Sequence, residues 1–150
     1  MSLQRSRLVK ILSLIAILAV VLGFGGYYYI NRTYKDTSEI KSDFEVDALP
    51  FIAEFAQDAK AANARYSEKI ITVRGRISDV EKADTTINIK MTDGATGSYL
   101  IFAMQSKDLP AARALKVNDS AAIKGSCSNG TFSEILSVYS INFKRCTITR

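Results

Sequence analysis

From Ile11 to Ile30 the chain carries no charged residue, and nothing else in the sequence constrains its folding as much. About 20 residues at about 1.5 Å rise make a helix of about 30 Å, the thickness of a bilayer hydrocarbon core. The run predicts a transmembrane helix over 11–30, with Tyr27, Tyr28 and Tyr29 at the level of an interfacial aromatic belt. Arg5, Arg7 and Lys10 precede the run, which places residues 1–10 in the cytoplasm. The expectation is a single-pass anchor in the inner (cytoplasmic) membrane, N-terminus in, with the C-terminal domain periplasmic. A cleaved signal peptide is the competing reading, since Gly23-Phe24-Gly25 is a small-x-small triplet. The long apolar run and the bulky tyrosines after the triplet favour retention. Residues 31–46 are polar and charged without period, which predicts a linker or stalk. Residues 47–150 remain for one folded domain.

The formal charge of +5 is concentrated early. From Val46 onward there are 14 Lys or Arg against 11 Asp or Glu, a net of +3 with both signs interspersed. A dedicated nucleic-acid binder more often concentrates a basic face. Histidine is absent, so the commonest general acid/base and the commonest metal ligand are both missing. Two cysteines are too few for a four-ligand zinc site without histidine. The expectation is a non-enzymatic chain with no catalytic residues, no metal and no cofactor.

Residues 47–63 predict a helix capped by Asp47, with Leu49, Ile52, Phe55, Ala56, Ala59 and Ala62 on one face. Residues 70–80 alternate: Ile71, Val73, Gly75 and Ile77 point one way, Thr72, Arg74 and Arg76 the other. Residues 85–91 and 99–104 give two further strands, joined by a turn at Asp93-Gly94. Residues 106–115 switch to helical spacing. Ala121, Ile123, Gly125 and Cys127 form a fourth strand, and residues 134–149 supply the last strand or pair of strands. Three strands, a helix and two strands is the order of a five-stranded Greek-key OB barrel. The expected fold is therefore mainly β with helices: an N-terminal transmembrane helix and a five-stranded OB-fold barrel preceded by an α-helix. An SH3-like barrel is the rival, but it needs no helix between its third and fourth strands.

The stretch Tyr66-Ser-Glu-Lys-Ile-Ile-Thr-Val-Arg-Gly-Arg-Ile-Ser-Asp-Val-Glu81 resembles the first strand of the tRNA-anti-like group of OB-fold domains. So do Leu115-Lys-Val-Asn-Asp119, Ile123-Lys-Gly-Ser-Cys127 and the segment from Phe143 to Ile148. The resemblance covers most of 47–149, and the last strand departs from the family pattern in being longer. It implies an anchor, a stalk, a helix and a barrel. Its name refers to anticodon-binding domains and does not establish RNA binding here.

Cys127 and Cys146 are expected to form a disulfide if the domain faces an oxidising compartment. Two buried free thiols are the alternative. OB barrels bind single strands by aromatic stacking in a basic groove, which makes Tyr99, Phe102 and Tyr139, with Arg74, Arg76 and Lys124, the candidate ligand-binding residues. Core aromatics and solvated charges are the bland alternative. Asp79, Glu81, Asp84 and Asp93 lack calcium-loop spacing and are expected to be solvated loop charges. The expected function is a membrane-anchored binding or interaction module of the cell envelope that takes a protein, peptide or glycan. Single-stranded nucleic-acid binding is the alternative.

Overall fold

The computed structural model describes residues 2–30 and 36–149. They form two compact units that divide between Lys35 and Asp36. The described residues of the first unit form one helix, α1 (Ser2–Ile30). Among the described residues no helix is long and apolar enough to cross a membrane. The expected transmembrane helix, and with it the single-pass inner-membrane placement and periplasmic domain, are corrected accordingly. The side chains of Arg5 and Arg7, and residues 31–35 of the expected linker, lie outside the described residues.

The second unit begins at Asp36, and the sheet takes up the chain from Phe44. Its helices are α2 (Ala48–Gln57), α3 (Ala59–Tyr66) and α4 (Leu109–Ala114). Its strands are β1 (Phe44–Asp47), β2 (Ile70–Arg76), β3 (Asp79–Lys82), β4 (Ile87–Thr92), β5 (Tyr99–Met104), β6 (Ser120–Ser133) and β7 (Val138–Thr149). All seven belong to one mixed sheet in the order β1-β2-β6-β7-β5-β4-β3. β1 runs parallel to β2 and β5 parallel to β7, and the other neighbours are antiparallel. The expected five-stranded closed barrel is thus corrected to a seven-stranded mixed sheet. The predicted strand over 70–80 is cut at Ile77 and Ser78, where Ile77 N–H donates to Asp119 O and Ser78 N–H to Lys90 O. Its two halves, β2 and β3, consequently lie far apart in the strand order. The sheet curls to let two residues of chain join them.

The alternation that defines β4 is strict: Ile87, Ile89 and Met91 are buried, while Asn88, Lys90 and Thr92 are half-buried on the other side. Residues 47–63, expected as one helix, form two. Asp58 ends α2, and its carboxylate accepts the Ala61 N–H to cap α3. The buried face also differs from the expected one: Phe51, Ile52, Phe55 and Ala62 are buried, whereas Leu49 is 58% exposed. Phe51 stands edge-on to Phe55 and Tyr66 at 5.2 and 4.9 Å between ring centroids. Burying a phenylalanine side chain fully is worth about 1.5–3 kcal/mol, so Phe51 and Phe55 fix α2 on the sheet. Gly75 permits that approach. A β-carbon there would meet Ala48 Cβ at 2.7 Å and Met91 Sδ at 2.8 Å.

Cys127 and Cys146 are both buried free thiols, so the expected disulfide is corrected. Cys127 faces Phe143 across the β6–β7 ladder, while Cys146 lies over Gly125, where a β-carbon would stand 2.6 Å from its Sγ. Two residues of offset displace the cysteines by about 7 Å along the strand. With the strand spacing added, the Cα atoms exceed the reach of a disulfide. Burial first, and the Glu68 charge second, push the Cys127 thiol up to about 12. Burial raises Cys146 further.

Candidate ligand-binding face

The polar positions of β4 and β5 share the outer side of the sheet. The register sets Asn88 beside Ala103, Lys90 beside Ile101 and Thr92 beside Tyr99. On one flank, β3 places Asp79 beside Lys90 and Glu81 beside Asn88. On the other, β7 places Ser140 beside Tyr99 and Asn142 beside Ile101. Thr131 of β6 continues the row, 3.2 Å from the Ser140 hydroxyl. The result is a broad face carrying amides, hydroxyls and one outward aromatic ring.

Lys90 governs its electrostatics. Its ammonium forms a close ion pair with Glu81 and lies 5.5 Å from the Tyr99 ring centroid. The Lys90 hydrogen bond holds the Glu81 carboxyl below its ordinary value, and the Glu81 bond raises Lys90. The positive charge at the centre of the face is therefore matched. The loop between β3 and β4 is fixed at one end of the face, with Lys82 Nζ donating to Arg113 O and an Arg113 guanidinium N–H donating to Asp84 O. At the other end, Tyr139 N–H donates to Ser98 Oγ.

The six expected ligand-binding residues are not brought together. Tyr99 is on this face, half-buried. Phe102 points inward, is fully buried and stacks on Phe143 at 4.9 Å. Tyr139 packs against Phe132 on the β6–β7 hairpin, 4.9 Å between centroids. Arg74 and Arg76 lie on β2, which the curl of the sheet brings against the end of β4, where both line a groove with Met91 and Thr92. Arg74 forms a 2.7 Å ion pair with Glu45, and Arg76 is exposed. Lys124 is buried beneath residues 36–43, its ammonium donating to Ser38 O at 3.0 Å and Ile40 O at 2.9 Å. Asn88, Lys90, Ile101, Ser140 and Asn142 were not among the candidates. Their signal in the sequence is only that they occupy outward positions of alternating strands.

The sequence matches the tRNA_anti-like family model over residues 1–137. The chain belongs to the tRNA_anti-like family. This tRNA_anti-like chain is accordingly an OB-type domain, whose fold is shared with a solved candidate nucleic acid-binding lipoprotein from Klebsiella pneumoniae (18% identity, 79% of this chain and 100% of that one, TM-score 0.56). An aspartyl-tRNA synthetase candidate from Leishmania major aligns at 11% identity over 79% of this chain and 22% of its own (TM-score 0.46). The aspartyl-tRNA synthetase of Entamoeba histolytica aligns at 10% identity over 73% and 25% (TM-score 0.44). No curated protein matches this tRNA_anti-like sequence.

Proposed function

We propose that the protein is a non-enzymatic binding module whose β3-β4-β5-β7 face takes a neutral oligosaccharide. In OB-type folds the face of the second and third strands, with its flanking loops, binds oligonucleotides and oligosaccharides. Here those strands are β4 and β5, with β2 and β3 standing as the two halves of the first. The observation that carries the choice is the composition of this face. Tyr99 offers a ring for a sugar to lie on, Asn88, Asn142, Ser140 and Thr131 offer paired donors and acceptors, and the one central cation is already matched by Glu81. Phosphate chains are held chiefly by unmatched Lys and Arg. Arg74 is paired with Glu45 and Lys124 is buried, which leaves Arg76, at the margin of the face where it lines a groove with Thr92, as the candidate cation without an ion pair among the described residues.

Single-stranded nucleic acid is the second reading. Tyr99 would equally stack a base, and the Klebsiella protein of the same fold is described as a candidate nucleic acid binder.

Calorimetric titration separates the two. The full chain and its Tyr99→Ala variant are titrated with a neutral tetrasaccharide series, and with oligothymidylate and oligouridylate at low and physiological salt. Saturable tetrasaccharide binding that Tyr99→Ala weakens by about tenfold supports the proposal. Micromolar, steeply salt-dependent oligonucleotide binding, with no response to any saccharide, overturns it in favour of the second reading.

A further inference from the structure

We propose that the seam of the sheet, between the ends of β2 and β4, is a separate site for a short extended peptide that carries an acidic residue beside an apolar one. Two ladders end there, with Ser78 hydrogen-bonded to Lys90 O and to the Thr92 hydroxyl at the β4 margin. The β1–β2 ladder stops at Asp47 and Arg74, so Gly75 and Arg76 pair with β6 alone. The β3–β4 ladder stops at Asp79 and Lys90, so Met91 and Thr92 pair with β5 alone. Unpaired edges of this kind are where an added strand makes its main-chain hydrogen bonds.

A groove of about 560 Å³ lies along these residues and is walled by Leu49, Pro50 and Met91. A depression of about 410 Å³ shares Asp47, Arg74, Gly75 and Arg76 with it and continues toward Ser120 and Ala122. Both volumes fall within the range of about 300–1,000 Å³ typical of ligand clefts. Leu49, turned out of the α2 packing and 58% exposed, gives the groove an apolar wall that the core does not use.

Charge selects the ligand's sign. Arg74 is held by Glu45. Arg76 is exposed and makes no ion pair among the described residues. Asp47 stands beside Arg74 in the β1–β2 register, so both acids of this corner, Glu45 and Asp47, fall at Arg74 and the acidic residue of a ligand is left to the Arg76 end. A peptide alternating acidic and apolar residues meets all three conditions, because alternate side chains of an extended chain point to opposite sides.

The test is fluorescence anisotropy of the full chain with two labelled pentapeptides, one alternating leucine with glutamate and one alternating leucine with lysine. The acidic peptide is expected to bind saturably and the basic one at least about fivefold more weakly. Arg76→Glu should weaken the acidic peptide by about fivefold or more and strengthen the basic one. Leu49→Asn should weaken both, and N-methylation of the peptide backbone should weaken the acidic one. Tyr99→Ala should leave the peptide affinity unchanged, which distinguishes this site from the saccharide face. Absence of saturable binding, equal binding of both peptides, or an Arg76→Glu affinity within twofold of the parent overturns the proposal.

Discussion

Replacing Lys124 by methionine isolates what the segment over the β2–β6–β7 side contributes. Lys124 is 9% exposed, and its ammonium donates to the carbonyls of Ser38 and Ile40. Hydrogen bonds from a charged donor contribute about 1.5–3 kcal/mol each. Methionine retains most of the apolar stem and leaves both carbonyls without that donor. Allowing for water to reach one of them, the net loss is about 2–4 kcal/mol. With a urea slope of about 2 kcal/mol per molar, the middle of the range for small domains, the unfolding midpoint falls by about 1–2 M. The assay is urea denaturation followed by circular dichroism. Saccharide binding should persist in the folded variant, since Lys124 is not on the Tyr99 face. A midpoint within about 0.2 M of the parent would refute the reasoning, because the two bonds would then contribute nothing net.

Three further outcomes follow from the geometry. Gly125→Ala forces a β-carbon to 2.6 Å from Cys146 Sγ, so it should cost about 1–3 kcal/mol, and adding Cys146→Ala should restore more than half of that in urea midpoints. Burial and raised pKa values keep Cys127 and Cys146 protonated at about pH 8, so neither should react with an aromatic disulfide reagent in the native protein, and both should react in strong guanidinium without reductant. Asp36 is held low chiefly by its hydrogen bond to Lys107, Glu81 by that to Lys90 and Asp93 by the Ala95 N–H. Groups with depressed folded pKa values stabilise above their ordinary values and lose that contribution as pH falls through the folded ones. The urea midpoint should therefore stay level near neutrality and drop progressively below about pH 4.5; a rise on acidification would contradict the assignment.

The elements legible in the sequence are those with a strict period. β4 is recovered because isoleucine and methionine alternate with polar residues, and the helix between β5 and β6 because its spacing changes. The break at Ile77 and Ser78 is not legible, since Ile77 continues the alternation and the bend is set by hydrogen bonds to Asp119 and Lys90. β1 escapes notice because four residues, two of them acidic, carry too little pattern. Phe102 looks available because β5 is apolar almost throughout, and only the pairing decides that Leu100 and Phe102 turn inward while Tyr99 and Ile101 turn out. Lys124 reads as a surface charge for a different reason: the carbonyls it binds lie more than 80 residues upstream, and backbone acceptors leave no mark in side-chain composition. The outward row of Asn88, Lys90, Ser140 and Asn142 is assembled by the β4–β5 and β5–β7 pairings, so it comes into view only with the topology.

Amide chemical-shift mapping by NMR during titration with a neutral tetrasaccharide addresses the binding face directly. The expected result is a saturable set of shifts confined to β4, β5 and the 140–142 stretch of β7, which collapses in Tyr99→Ala. Shifts centred on Arg74 and Arg76, or none at saturating saccharide, would contradict it.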